Sequence, residues 1–204
     1  MIAIVDYGMG NLRSVEKALQ KLGHDAAVVR AVEEIDAAER LILPGVGAFG
    51  DAMGQLHERG LVGPIRRFIA SARPFLGICL GLQLLFEEGE EDGTHEGLGV
   101  LPGRIVRFRS EAAAIRIPHM GWNALSLRGA GTNPLWGGVA DGSHVYFVHA
   151  YYAEPAEGRI VAATADHAGP FCASVWRDNV WAMQFHPEKS QRVGLRMLDN
   201  FARV

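Results

Sequence analysis

Cys79, within Gly77-Ile78-Cys79-Leu80-Gly81-Leu82-Gln83, is the side chain best placed to act as a nucleophile. It follows an apolar run, Pro74 to Ile78, that predicts a short buried strand. It opens an apolar segment (Leu82, Leu84, Leu85, Phe86) that predicts a helix. A reactive side chain between glycines at a strand-to-helix turn forms a nucleophile elbow, here with Cys in place of Ser. Such a turn lifts the thiol out of the sheet and sets it at a helix N-terminus, where the dipole favours thiolate. A lone cysteine is more often a small buried hydrophobe, so the reading depends on finding partners.

One partner lies in Gln184-Phe185-His186-Pro187-Glu188. The run Val180 to Phe185 is apolar and β-prone, and Pro187, lacking an amide donor, ends the ladder. His186 and Glu188 are two apart, so an extended chain points both to one side. That suits a base oriented by a carboxylate, as nucleophilic catalysis needs. His-x-Glu alone carries little information; its meaning comes from Cys79. A third segment, Leu41 to Gly47, predicts a strand ending in a glycine-rich turn. An elbow takes one oxyanion donor from the amide after the nucleophile, here Leu80, and another from a neighbouring strand-end loop. Gly45, Val46 and Gly47 are the candidates for the second. Gln83 lies one helical turn beyond Cys79, on the same face.

The first-half elements that must hold these groups alternate. Ile2–Val5, Ala26–Val29, Leu41–Leu43 and Phe75–Ile78 predict strands; Leu12–Leu22, Asp51–Arg59, Pro64–Ala72 and Leu80–Glu88 predict helices. Alternation of this kind implies a parallel sheet covered on both faces. The second half is strand-rich: Arg104–Phe108, Val145–Tyr152, Ile160–Ala165, Cys172–Arg177 and Val180–Phe185, the last two joined by an Asp178-Asn179 hairpin turn. Arg192–Ala202 predicts a closing amphipathic helix. The expected fold is α/β: a mixed, largely parallel sheet with helices on both faces and an antiparallel second half. The site belongs at the carboxyl ends of the parallel strands.

The nucleophile, base and turn together resemble the triad-type (class I) glutamine amidotransferases, a flavodoxin-like fold, over essentially the whole chain. Asp6 to Leu12, Pro118-His119-Met120-Gly121-Trp122-Asn123, Val148 to Tyr152 and His186 to Ser190 are similar to glutaminase subunits of histidine biosynthesis. In those, ammonia passes to a separate (β/α)8-barrel cyclase subunit. The resemblance implies L-glutamine as substrate and a heterodimer with the cyclase. It implies a Cys79-His186-Glu188 triad, and Gln83 and Glu91 on the substrate, with Glu91 receiving its ammonium. It also implies main chain at His149, Ala150 and Tyr151 on the substrate carboxylate, and Asn11, Trp122, Asn123 and Lys189 facing the partner. Ala150 departs from the Ser usual in the family. The acidic run around Glu91 also reads as a solvated surface. Three alternatives stand: a glutaminase subunit of anthranilate or aminodeoxychorismate synthase type, a cysteine hydrolase of similar fold, and a non-catalytic module. The first lacks the Pro118–Asn123 block in this form. A hydrolase would not need Gln83 or a partner surface, and a non-catalytic module would usually have lost part of the triad.

Composition narrows the classes further. The 204 residues, 49% hydrophobic and 21% charged, suit one domain, 1–204, with a substantial core. A net charge of −3 gives no nucleic-acid footprint. Asp6 breaks the first apolar run, so neither a signal peptide nor a membrane span is expected. With 2 Cys there is no disulfide framework, and a free thiol fits a reducing cytoplasm. Gly8-Met9-Gly10 lacks the third glycine of a dinucleotide fingerprint, since position 13 is Arg, and no Cys-x-x-Cys or His-Glu-x-x-His occurs. No cofactor or metal is expected. Cys172 reads as inert packing, His24 and His57 as surface residues at helix ends, and Trp136 as core.

Overall fold

A computed structural model describes residues 1–109, 116–129 and 131–204. Its first half runs β1 (Ile2–Val5), α1 (Leu12–Lys21), β2 (Ala26–Val29), α2 (Val32–Ala37), β3 (Arg40–Gly45), α3 (Phe49–Glu58), α4 (Val62–Ala70) and β4 (Phe75–Cys79). A short helix α5 (Leu80–Gln83) follows, then β5 (Phe86–Gly89), β6 (His95–Glu96) and β7 (Leu101–Arg107). The second half holds β8 (His119–Ala124), β9 (Ser126–Leu127), β10 (His144–His149), β11 (Tyr151–Pro155) and β12 (Val161–Asp166). It ends with β13 (Pro170–Arg177), β14 (Val180–Met183) and α6 (Gln191–Arg203).

The main sheet runs β2-β1-β3-β4-β14-β13-β11-β7-β5-β6, with β12 against β13 and β9. Its first five strands are parallel, and β14 turns back on β13 through Asp178-Asn179. Alternate residues of β1 feed separate cores. Ala3 and Val5 join Phe49, Met53, Leu56, Ile65 and Phe68 from α3 and α4. Ile2 and Ile4 join Val15 and Leu19 of α1 and Met197, Leu198 and Phe201 of α6. Both faces are therefore dry, which is why these strands read as unbroken apolar runs.

Two predicted elements differ. Leu80–Glu88 is not one helix: α5 stops at Gln83, and Phe86 enters β5 beside Leu101 of β7. Leu82, Leu84, Leu85 and Phe86 are all buried, so the run has no polar face from which a helical period could be told from a strand. Val145–Tyr152 is likewise two strands. His144–His149 pairs with β8 in a separate two-stranded sheet, while Tyr151–Pro155 joins β7 and β13, the chain changing sheets at Ala150. No Gly or Pro marks that break. Strand β14 ends at Met183 rather than Phe185, and helix α2 and strand β8 were not anticipated.

Candidate active site

The parallel strands β3, β4 and β14 deliver the turn 44–47, Cys79 and the segment leading to His186 to one end of the sheet. Cys79 sits at φ 56°, ψ −111°, a conformation L-residues rarely adopt, directly between β4 and α5. The flanking glycines make this possible. A Cβ on Gly77 would lie 2.6 Å from the Gly81 carbonyl oxygen, and one on Gly81 would collide with the Leu43 carbonyl. The elbow thus packs backbone to backbone against β3. Gly81→Ala is expected to lose at least about 1–3 kcal/mol, the usual scale of overpacking. A urea midpoint equal to that of the parent protein would show that the elbow does not need this close approach.

The His186 Nδ1–Glu188 Oε1 distance is 2.8 Å, and both side chains are almost fully buried (2% and 1% exposed). Burial opposes charge on this ring, but Cys79 and Glu188 outweigh it and hold the imidazolium well above its ordinary range. Nε2, also buried, has no hydrogen-bond partner among the described residues. With α5 only four residues long, its dipole is small. Of the two groups expected to favour a thiolate, the helix end is therefore the weaker and His186 the stronger.

A cavity of about 330 Å³ gathers Val46, Gly47, Cys79, Leu80, Gln83, Glu91, His149, Ala150, Tyr151 and His186 on its wall. Among the expected nucleophile, oxyanion and substrate groups, Gly45 and Glu188 do not line it. A larger cleft of about 800 Å³, lined by Arg104, Arg128, Glu154 and Phe171 among others, has no histidine on its wall. Cys172 borders it, but burial pushes that thiol up to about 12, as inert packing should be.

Gln83 is buried; its amide donates at 3.0 Å to the Tyr151 carbonyl and at 3.0 Å to Gln184 Oε1. Gln184 in turn directs Nε2 toward Cys79 Sγ at 3.8 Å. Gln184 was not among the expected site residues, although its parity with His186 on an extended segment was the available signal. Glu91 is not loose in solvent: its carboxylate accepts from the Phe49 amide at 2.9 Å, which pins it at the cavity.

His149 is buried, and the contact of its Nδ1 with the Tyr151 carbonyl at 2.8 Å fixes the tautomer, because a carbonyl only accepts. Nε2 must then accept from His119 Nδ1 at 3.0 Å, and His119 Nε2 accepts from Asn123 at 3.2 Å. Burial lowers His149 to about 3 and His119 to about 4, so the chain is neutral and polarised one way. It links strand β8 to the cavity wall. Asn123 also donates to the Asp166 carbonyl at 2.8 Å, so its amide serves the fold of this chain.

The other expected partner-facing groups lie outside the cavity. Met120 and Trp122 are exposed on β8 (63% and 48%). Lys189 Nζ stands 5.9 Å from the centre of the Tyr146 ring, which meets Trp122 edge to face at 6.1 Å. Asn11 starts α1 and accepts from the Ser14 hydroxyl at 2.8 Å. His57 is exposed as expected, whereas His24 is half-buried against Asp199 at 2.7 Å. Trp136 is core.

The family profile "Glutamine amidotransferase class-I" matches residues 3–204. "Imidazole glycerol phosphate synthase subunit HisH" of Rhodopirellula baltica is 57% identical over 202 residues, covering 99% of this chain and 97% of that protein. The protein of the same name from Syntrophotalea carbinolica is 55% identical over 205 residues, covering 98% of each. Among solved structures, a crystal structure of a glutamine amidotransferase superposes with TM-score 0.75 at 24% identity, covering 100% of both chains. A chain of the structure of PurLQS from Thermotoga maritima superposes with TM-score 0.74 at 18% identity, covering 99% of this chain and 97% of that one. The chain belongs to the class I glutamine amidotransferases and, within them, to the family of HisH subunits of imidazole glycerol phosphate synthase.

Proposed function

We propose that Cys79, His186 and Glu188 are the triad with which this glutamine amidotransferase subunit of histidine biosynthesis hydrolyses L-glutamine to glutamate and ammonia. The carrying observation is the strained Cys79 in one cavity with His186, whose Nδ1 lies 2.8 Å from Glu188. His186 takes the thiol proton, the sulfur attacks the carboxamide carbon, and the protonated ring gives the proton to departing ammonia. Glu188 holds the tautomer and stabilises the cation. The Leu80 amide and one from Gly45, Val46 or Gly47 receive the oxyanion, each donor typically worth ~10²–10³ in rate. Water activated by His186 then releases glutamate from the thioester.

In this reading Glu91 takes the substrate ammonium, and main chain at His149, Ala150 and Tyr151 takes its carboxylate. With no hydroxyl at Ala150, the contribution there is main chain alone. Gln83 acts on the wall through its bonds to Tyr151 and Gln184. Ammonia passes to a (β/α)8-barrel cyclase subunit, which makes imidazole glycerol phosphate and aminoimidazole carboxamide ribonucleotide, in a one-to-one heterodimer in the cytoplasm. No helix among the described residues is long and apolar enough to cross a membrane. Glutamate release with and without purified cyclase tests the assignment. Release with glutamine and stimulation by the cyclase are expected; hydrolysis of unrelated amides or peptides instead would favour a general cysteine hydrolase.

The exposed Trp122 and Lys189, with the half-buried Tyr146 between them, support a docking face beside the cavity, Lys189 standing three residues from His186. Lys189, one of only three lysines with Lys17 and Lys21, would meet a carboxylate of the barrel. Rim charges of this kind govern association rate and register more than affinity. Lys189→Ala is therefore expected to slow complex formation and flatten its salt dependence, with the isolated fold unchanged. Synthesis from glutamine should fall more than synthesis from ammonia. Identical binding and coupling across a salt titration would make Lys189 a solvated surface residue.

A further inference from the structure

Tyr7, just beyond β1, is wholly buried, yet its hydroxyl has no partner among the described residues. A phenylalanine would fill the same core, so the oxygen is what needs an explanation. It lies directly beneath the turn 44–47. A Cβ on Gly45 would collide with it and come within 2.9 Å of Leu80 Cβ. Gly45 is paired in register with Cys79. The hydroxyl thus sits where the turn and the start of α5 converge, on the core side. Burial, reinforced by the nearby Cys79 charge, keeps it a neutral phenol able to donate.

A trans peptide points its C=O and N–H in opposite directions. Anchoring a carbonyl of the turn from the core side therefore turns the same peptide's N–H toward the cavity. We propose that Tyr7 is a positioning residue for amide hydrolysis: its hydroxyl donates to a main-chain carbonyl of the turn 44–47 as the oxyanion forms, holding the turn's amide toward it. This rests on the reading of that turn as the second oxyanion donor. It also accounts for Gly at position 45, since any Cβ would occupy the place of the phenol oxygen.

The test is Tyr7→Phe in complex with the cyclase. Glutamate release should fall about 10-fold in kcat, less than for loss of a whole oxyanion donor, with KM changed by less than about twofold. Alkylation of Cys79 by iodoacetamide, which forms no oxyanion, should keep its rate, and the urea midpoint should hold or rise. Unchanged kcat, or slowed alkylation, overturns the proposal. Val46→Pro, which deletes one candidate amide, separates the two readings provided its own urea midpoint is retained. If it is slow and Tyr7→Phe adds nothing to it, the proposal stands. If it is slow while Tyr7→Phe alone is not, the proposal fails and the oxyanion turn survives. If it turns over at full rate while Tyr7→Phe is slow, Val46 is not the donor that Tyr7 orients, and the proposal fails in this form.

Discussion

Cys79→Ala is expected to abolish glutamine-dependent synthesis while leaving synthesis from added ammonium salt intact. The substitution removes one sulfur from a side chain that is 7% exposed, and alanine adds no atom that the elbow must accommodate. The positive φ at this position already costs the parent protein, and alanine bears the same cost. The cyclase chemistry, on the other subunit in the proposed arrangement, has no use for this thiol. Glutamate formation and ammonia-driven synthesis, measured on one preparation of the complex, check both halves. Loss of both activities would mean that Cys79 also holds the complex together.

His186→Asn should reduce glutamine turnover by roughly 10²–10⁴, the scale of a positioned acid–base group. Glu188→Gln should be milder, because the proton acceptor remains while its orientation and the stabilisation of its cation suffer. The sign of the pH effect also follows. Cys79 and Glu188 raise the folded-state pKa of His186 above its ordinary value. The stability from charging His186 is thus fully present below the ordinary imidazole range and is lost as pH rises through the raised value. Steady-state kinetics of the two variants, with urea unfolding across that range, check both claims. Near-full activity in His186→Asn would remove the triad.

Cys79 and His186 were legible in sequence because each is tied to a short signal with a backbone cause, whereas Glu91 and His149 to Tyr151 were indicated only by the resemblance. Gly77 and Gly81 are required by contacts with Gly81 and Leu43 main chain, and Pro187 ends the strand that presents His186. The parallel half was legible as well, since two dry faces leave long apolar runs such as Ile2–Val5. What failed did so for lack of local contrast. Leu80 to Phe86 is buried throughout, so only the distant pairing with Leu101 decides where helix gives way to strand. The break at Ala150 is set by two different sheets competing for one β-prone run. Gln184 and Tyr7 were missed for a related reason: a buried polar group declares its role through partners remote in sequence. The bond from Gln83 to Gln184 spans 101 positions.

The most direct measurement is covalent. The complex is mixed with labelled glutamine, quenched in acid within the first turnovers, and digested to locate the label. The account predicts a glutamyl thioester on the peptide carrying Cys79, absent in Cys79→Ala and accumulating when hydrolysis is slowed in Glu188→Gln. Glutamate release by Cys79→Ala at the parent rate, or label on another peptide, would contradict it.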